Sequence, residues 1–349
     1  MCLYPKLINN PKYRANKKNG GNIPAVLDER VKLVPIGCQK CIECRKQKAR
    51  GWMIRLLEDI KTNKNGKFIT LTFAPEELKK LNDECEGYGY EKDNNIATLS
   101  VRRFLERWRK EFKKSVRHWL ITELGQTCTE HLHLHGIIWT DDVKAIHKHW
   151  KYGTVWSGYK KNGKNENYVN ASTVNYITKY ITKQDTLHKN YQSKILCSKG
   201  IGNNYTNTVQ SKSNKFKDTS TEECYRTEKG YKIAMPNYWR NKIYTDDERE
   251  KLWLQKLDKN ERWICGEKIS ADNEDEYMKL LEYYRRLNKK LGYGSDEITW
   301  EQAQYERERR LIKQYAKMNY IKEMLRKDKK TNRKECKTLV CIRIRGRKR

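Results

Sequence analysis

The chain has 349 residues, and its 75 lysines and arginines against 44 acidic residues give a formal net charge of +31. A charge of this size indicates a polyanionic partner, and nucleic acid before a membrane surface, because the 22 tyrosines and 10 tryptophans also offer faces on which bases stack. The composition argues against a membrane protein or a secreted one, since no segment approaches the roughly 20 apolar residues of a membrane span and residues 1–21 lack the apolar run of a signal peptide.

The first half of the chain alternates helical and strand patterns, which predicts an α+β fold. In chain order we predict a basic helix over residues 46–60, a strand over 67–73, a polar loop over 82–98, a helix from its N-cap Ser100 to about residue 114, strands over 118–124 and 131–140, and a helix over 173–183. The last two strands are close enough in sequence to form a hairpin.

The second half is more polar and more basic. Residues 198–232 are predicted to be loops, an amphipathic helix is expected over 272–291 before Gly292, and another helix is expected from Thr299. The final 24 residues carry 12 lysines and arginines and two acids, so we expect a tail that binds phosphates non-specifically. The predicted organisation is a cysteine-rich segment with a basic helix (1–60), a central domain (61–190) and a basic, largely helical accessory region (191–349).

Three histidines alternate with apolar residues in the segment His-Leu-His-Leu-His-Gly, which begins at His131. Alternate residues of a strand face the same side about 7 Å apart, so two of the imidazoles can converge on one metal ion. The neighbouring predicted strand ends near Glu123, whose carboxylate is the expected third ligand. Two imidazoles and one carboxylate suit Mn²⁺ or Mg²⁺ acting on a phosphate, and would also bind Zn²⁺.

A doubled Tyr-x-x-Lys pattern follows downstream, at Tyr176, Lys179, Tyr180 and Lys183. On a helix the two tyrosines share a face, and so do the two lysines. A tyrosine hydroxyl can attack a phosphodiester and become linked to the 5′ phosphate, while a lysine neutralises the charge that develops. The same pattern is typical of a helix that packs aromatic rings, and the histidine strand upstream favours the catalytic interpretation.

Four cysteines are candidates for a zinc site. Cys38, Cys41 and Cys44 form two overlapping Cys-x-x-Cys spacings, which suit tetrahedral zinc, and Cys2 is a candidate for the fourth ligand. Free thiols are the alternative, because a chain that works inside a cell is not expected to build a disulfide framework.

Other motifs carry less weight. His147 and His149 also have the His-x-His spacing, but they lie in a predicted helix, where such residues do not share a face, and we predict both at the surface. The chain contains no GxxxxGK[S/T] motif, so we expect no nucleotide hydrolysis of its own.

Three segments, in this order, resemble the HUH endonucleases, and specifically the replication initiator proteins of small single-stranded DNA phages, the gokushovirus-like Microviridae. They are Phe68-Ile-Thr-Leu-Thr-Phe73, then His133-Leu-His135-Gly136-Ile-Ile-Trp139 preceded by Glu123-Leu-Gly, then Tyr176-Ile-Thr-Lys179-Tyr180-Ile-Thr-Lys183. The opening Met1-Cys2-Leu-Tyr-Pro5, the cysteine cluster and Ser198-Lys-Gly-Ile-Gly202 are also similar to this phage group. The resemblance covers roughly residues 1–202, and the C-terminal third matches only loosely.

The resemblance implies a metal-dependent nicking and joining enzyme of rolling-circle replication, with a central antiparallel sheet flanked by helices. One tyrosine would cut the origin strand and become linked to its 5′ phosphate, the free 3′-OH would prime host synthesis, and the second tyrosine would later release a circular strand. The implied partners are single-stranded and replicative-form origin DNA and the host helicase and polymerase, without a membrane, in the host bacterial cytoplasm. The implied catalytic ion is Mn²⁺ or Mg²⁺, with structural Zn²⁺ as a candidate.

The resemblance also selects His133 and His135 as the metal-binding pair, because Gly136 and an apolar run follow them as in the family. His131 stands where relatives usually carry another residue, often arginine. Two other functions compete with this one. A non-catalytic zinc-containing nucleic-acid-binding protein would explain the charge and the cysteines, but not paired tyrosines downstream of a histidine strand. A single-tyrosine HUH plasmid initiator or transposase would explain the histidines, but not the doubled Tyr-x-x-Lys.

Overall fold

A computed structural model describes residues 2–87, 89–125, 132–161, 164–183, 191–270 and 272–294, together with Met318 and Leu325; for residues 89, 159–161 and 164–166 it describes the backbone alone. The chain divides into two compact units, one of Met1–Leu3 and Cys38–Ser295, the other of Tyr4–Gly37 and Asp296–Arg349. In the second unit, strands β1 (Lys6–Asn9) and β2 (Leu33–Ile36) form an antiparallel pair.

The first unit carries the remaining helices and strands. In chain order they are α1 (Ile42–Thr62), β3 (Gly66–Thr72), α2 (Pro75–Glu84), α3 (Gly89–Phe112), β4 (Arg117–Leu124), β5 (Leu132–Trp139), α4 (Val143–His149), β6 (Val155–Trp156), β7 (Tyr159–Lys161), β8 (Lys164–Glu166), α5 (Ala171–Thr182), β9 (Ile195–Cys197), α6 (Val209–Ser213), β10 (Cys224–Arg226), β11 (Lys232–Ala234), α7 (Asn237–Ile243), α8 (Asp246–Asp258), β12 (Glu261–Ile264), β13 (Glu267–Ser270) and α9 (Glu274–Lys290).

A five-stranded sheet organises this unit. Its strand order is β6-β3-β5-β4-β9, and every neighbouring pair is antiparallel. The predicted pairing of the two central strands is confirmed, with β4 and β5 in register from Arg117 opposite Trp139 to Leu124 opposite Leu132. The expected α+β fold with an antiparallel sheet and flanking helices is therefore present, and the histidine strand β5 is its middle strand.

Helices cover both faces of the sheet because both faces are apolar along most of their length. On one face, Leu120, Leu134 and Ile138 pack with residues of α3 and α4 such as Phe104 and Ile146. The opposite face has its own apolar cluster against α1 and α5, which buries Trp119, Ile121, Ile137, Leu56, Val174 and Ile177. The alternation of strand side chains thus assigns odd-numbered residues of β4 and β5 to the face that α5 covers.

The prediction for residues 82–98 was wrong, because α3 begins at Gly89 rather than at Ser100. Ser100 is fully buried inside the helix, where its hydroxyl donates to the carbonyl of Ile96 at 2.8 Å. This bond satisfies the side chain locally and lets serine occupy a helix interior. The polar residues of the segment concealed the buried pair Ile96 and Ala97, which pack on the first face of the sheet.

Residues 198–232 were also predicted as loops, yet they contain α6 and β10. They contribute to a third apolar cluster whose buried members include Tyr205, Tyr225, Trp239, Tyr244 and Leu252. The amphipathic helix predicted over 272–291 is confirmed as α9. The helix expected from Thr299, the basic tail and His131 lie outside the described residues.

Within the described ranges, no helix combines the length and the apolar character needed to cross a bilayer.

Candidate metal and tyrosine site

The candidate site lies where the α5-facing side of the sheet changes from apolar to polar. Trp119, Ile121 and Ile137 are buried on this face, and the same alternation then places Glu123, His133 and His135 at its polar end. Glu123 stands directly opposite His133 across the β4–β5 ladder, and His135 is the next residue along that face. The hairpin register therefore brings all three side chains together.

Glu123, His133 and His135 form a group of three metal-ligand types. Nε2 of His133 lies 3.1 Å from Oε2 of Glu123, and Nε2 of His135 lies 2.9 Å from the same oxygen. Their ligand atoms all lie within 4.8 Å of one another. Because both imidazoles present Nε2 to one carboxylate oxygen, the donor set of two nitrogens and one oxygen fits a divalent ion such as Mn²⁺ or Mg²⁺. Three residues selected from sequence meet at one point, and their role as ligands stays a prediction.

The electrostatics of the group suit a metal. Burial by itself would raise the pKa of the Glu123 carboxyl, but hydrogen bonds to His133, His135 and Lys183 outweigh it and hold that pKa well below its usual range. Burial lowers the pKa of His135 and favours its neutral form. An ionised carboxylate and a neutral imidazole are the forms that coordinate metal ions.

Helix α5 carries the two tyrosines, and its N-terminus is fixed by a capping box between Asn170 and Thr173. The hydroxyl oxygens of Tyr176 and Tyr180 lie 2.7 Å apart. The ring of Tyr180 stacks on the imidazole of His135, with centroids 4.5 Å apart and planes at 14°. The predicted nucleophiles and the predicted metal ligands are thus in direct contact.

The environments of the two tyrosines differ. Tyr180 is 9% exposed, whereas Tyr176 is 49% exposed. Burial raises the pKa of Tyr180, and its hydrogen bond with Tyr176 raises it further. The phenol of Tyr180 is therefore held in its protonated form, and Tyr176 presents the accessible hydroxyl.

The two lysines of the doubled motif are not equivalent either. Lys183 follows the last turn of α5, and its ammonium forms an ion pair with Oε1 of Glu123. The same ammonium lies 5.5 Å from the centroid of the Tyr180 ring. Lys179 is exposed one helical turn earlier. The structure therefore brings Lys183 into the site and leaves Lys179 at its open side.

Residues of β3 support the site, and motif reasoning had not assigned them a role. Oγ1 of Thr70 lies 2.9 Å from Nδ1 of His135; when Nδ1 carries the proton it donates to that hydroxyl, and Nε2 is left with a lone pair for a metal. Phe68 packs edge-on against Tyr176 with centroids 5.8 Å apart. The alternation of Phe68 and Thr70 along the strand is the signal that could have identified both residues.

Asn167 is a further supporting residue, and no sequence pattern indicated it. Its side-chain amide donates to the carbonyl of Phe68 at 2.7 Å and its carbonyl oxygen accepts the Phe68 N–H at 2.8 Å. These two bonds imitate a strand partner and fix β3 beside α5.

The four predicted zinc ligands also come together. The Sγ atoms of Cys2, Cys38, Cys41 and Cys44 lie within 4.8 Å of one another, and all four thiols are free. They lie at the N-terminus of α1, whose predicted basic helix is confirmed.

The surface prediction for the second His-x-His pair was wrong for one member. His147 is exposed, but His149 is buried, and its Nε2 lies 2.9 Å from Oε2 of Glu111. Trp108 and Phe112 of α3 pack against its ring. His149 therefore joins α4 to α3 rather than facing solvent.

Comparison with known proteins locates a similarity on the segment that carries the site. Residues 66–185 match a family of replication-associated proteins described by the name ORF2. The chain is also 25% identical over 291 residues to the Replication-associated protein ORF2 of Spiroplasma virus 4, a match that covers 74% of this chain and 86% of that relative. No solved structure matches the chain. The range 66–185 contains Glu123, both site histidines and both tyrosines of α5.

Proposed function

We propose that this chain is a replication initiator of the HUH type from a Microviridae-like phage, which nicks the origin strand by tyrosine attack. The observation that carries the proposal is the contact between the two halves of the site: the Tyr180 ring stacks on His135 and its hydroxyl is 2.7 Å from that of Tyr176. The similarity to replication-associated proteins supports the role. The net charge of +31 supports a DNA substrate.

In the proposed step, the phenolic oxygen of a tyrosine attacks a backbone phosphorus. The new bond joins that oxygen to phosphorus, the bond from phosphorus to O3′ breaks, the phenolic proton passes to solvent, and O3′ takes up a proton. An ion held by Glu123, His133 and His135 would supply Lewis-acid stabilisation of the charge on the phosphate. Tyr176 offers the accessible hydroxyl, and Thr70 orients the ring of His135.

The second tyrosine extends the proposal from nicking to joining. After the first cut the 5′ end stays on the protein and the 3′-OH is free to prime synthesis by the host polymerase, with a host helicase opening the duplex. Tyr180 lies one turn from Tyr176, so a second transfer can occur without release of the DNA. This scheme places the protein in the host bacterial cytoplasm.

The test uses the full chain and single-stranded oligonucleotides that tile the replicon encoding it, labelled at either end, with Mn²⁺ or Mg²⁺. We expect one oligonucleotide to give a covalent adduct on a denaturing gel, and only the 3′-labelled form to remain attached, since the link is to the 5′ phosphate of the downstream fragment. The absence of an adduct with every divalent metal would overturn the proposal.

Replacing both metal-ligand candidates, His133→Ala with His135→Ala, should abolish the adduct while salt-sensitive DNA binding persists, because the ligands are few and the basic surface is large. His147→Ala is the matched control, an exposed histidine outside the site, and it should cleave normally. Cleavage that survives loss of both His133 and His135 would remove the metal group from the mechanism.

A further inference from the structure

The cysteine cluster carries an inference that does not depend on nicking. We propose that Cys2, Cys38, Cys41 and Cys44 bind one structural zinc ion that fastens the N-terminal residues and α9 to the start of α1. The site differs in chemistry and in position from the Glu123, His133 and His135 group.

The sulfur geometry is that of a tetrahedral site. A zinc ion bonded to sulfur at about 2.3 Å requires neighbouring sulfurs about 3.8 Å apart along each tetrahedral edge. The Sγ atoms of Cys2 and Cys41 are 3.8 Å apart, and all four sulfurs lie within 4.8 Å of one another. A disulfide would bring two sulfurs to about 2.05 Å, and the four thiols are free. The spacing is that of sulfurs around a shared ion.

The backbone around the cluster is arranged for thiolates. The N–H of Cys38 donates to Sγ of Cys2 at 3.2 Å, and the N–H of Cys41 donates to Sγ of Cys38 at 3.3 Å. Such bonds favour the negatively charged form of sulfur. Between the two cysteines, Gln39 adopts a left-handed φ of 64°, a conformation that costs a non-glycine residue about 1 kcal/mol or more. A strained turn that aims two cysteines at one point is the expected form of a metal-binding Cys-x-x-Cys.

The donor set and its burial select the kind of site. Four thiolates suit zinc and leave no open position for water or substrate, which is the pattern of structural zinc sites. Cys41 is fully buried and Cys44 is 6% exposed. The three-ligand group at Glu123 leaves coordination positions open, as a catalytic site requires. The two groups are therefore expected to hold different ions.

Hydrogen bonds join this cluster to α9 on both flanks. The N–H of Ile42 donates to Oδ1 of Asn288 at 2.9 Å, and Asn288 is fully buried. On the other flank, Nε of Arg285 donates to the carbonyl of Leu3, next to Cys2, at 2.9 Å. Cross-linking Cys2 to α1 through one ion thus fixes both surfaces on which α9 sits.

The same support extends toward α5. Arg45, which follows Cys44, lies over the ring of Tyr293 at 5.5 Å from its centroid. The hydroxyl of Tyr293 donates to the carbonyl of Thr182 at 3.0 Å. Thr182 is the last residue of α5, beside Lys183. The zinc cluster therefore supports the segment after α9 that holds the end of the tyrosine helix.

The decisive measurement is the metal content of the full chain, purified from zinc-supplemented cultures without a chelator. We expect about one zinc ion per chain, lost in Cys41→Ser and retained in the control Cys224→Ser, whose thiol lies outside the cluster. The His133→Ala, His135→Ala double variant should also retain zinc. Zinc absent from the wild type, or zinc lost from the histidine variant but kept by Cys41→Ser, would overturn the proposal.

Because Cys41→Ser can fail to fold, the wild-type protein provides an independent readout. With cobalt in place of zinc, a sulfur-to-metal charge-transfer band of four thiolates is expected, and a spectrum without it contradicts the assignment. Removing zinc with a chelator should speed amide hydrogen exchange in α9 and at the end of α5, while α3 keeps its rate. Unchanged exchange in α9 would refute the fastening role. None of these measurements requires that the protein cut DNA.

Discussion

Tyr176 and Tyr180 lie one helical turn apart, yet only one of them is accessible. Tyr176 is 49% exposed, while Tyr180 is 9% exposed and stacked on His135. A phenol that attacks phosphorus must lose its proton, and burial raises the pKa of Tyr180. The same burial hides its hydroxyl from an incoming strand. Tyr176 is therefore the better placed nucleophile for the first cut.

We predict that Tyr176→Phe lowers the rate of first adduct formation by about 10³-fold or more, the scale expected when a nucleophile is removed. Tyr180→Phe should still form the first adduct but fail to transfer the strand onward. The measurement is single-turnover adduct formation, followed by a chase with a second origin oligonucleotide. Tyr168→Phe is the control, an exposed tyrosine shortly before α5.

Two results would contradict this order. If Tyr180→Phe alone prevented the first adduct, the buried tyrosine would be the first nucleophile. If Tyr180→Phe completed the chase normally, the chain would act as a single-tyrosine enzyme, and the close pairing of the two hydroxyls would be a packing feature.

At the scale of single residues, sequence could predict the ligand group because strand periodicity and hairpin register are local properties. Glu123 falls opposite His133 once β4 and β5 pair. The ion pair between Lys183 and Glu123 was not predictable, because it depends on where α5 rests on the sheet. The burial of Tyr180 depends on the same packing.

Among the elements, the β4–β5 pair depends on one glycine. A Cβ atom on Gly136 would lie 2.0 Å from the carbonyl oxygen of Trp119 and 2.8 Å from Cα of Leu120. Both atoms belong to the backbone of β4, so neither can move without shifting the strand. Glycine at this position therefore allows the close approach that sets Glu123 opposite His133.

We predict that Gly136→Ala destabilises the protein by at least the ~1–3 kcal/mol typical of overpacked sites, and weakens Mn²⁺ binding by disturbing the ligand register. Urea unfolding and calorimetric Mn²⁺ titration measure the two effects. Gly51→Ala is the matched control: its Cβ would meet Cβ of Pro236 at an ordinary 3.7 Å within α1, and alanine favours a helix by up to about 1 kcal/mol. Equal stability of the two variants would show that β4 yields without cost.

The elements that sequence predicted well are those with clear periodicity, such as β5 and α9. The start of α3 was missed because its polar residues find partners elsewhere in the fold. Asn94 accepts the hydroxyl of Thr122 at 2.8 Å and donates to the carbonyl of Gln192 at 3.0 Å. Such partners come from distant chain segments, so a window of local sequence does not contain them.

For the whole molecule, the charge separates binding from chemistry. The excess of 75 basic over 44 acidic residues is spread along the chain, and the predicted tail of residues 326–349 alone holds 12 lysines and arginines against two acids. The candidate site is confined to residues between Glu123 and Lys183. Affinity for DNA should therefore depend on many residues that the cleavage step does not use.

Deleting residues 326–349 removes a net charge of +10. We predict weaker binding to single-stranded DNA and a shallower salt dependence, since each lost phosphate contact reduces the slope of log K against log salt by about 0.7. The rate of adduct formation at saturating DNA should be unchanged, because the candidate site is intact. Fluorescence anisotropy over a salt series measures the slope. A chain with the same 24 residues in scrambled order serves as the control and should bind like the wild type, because counterion release depends on charge rather than order. An unchanged slope after deletion would mean that the tail makes no phosphate contacts, and that the basic surface of the remaining chain accounts for the binding.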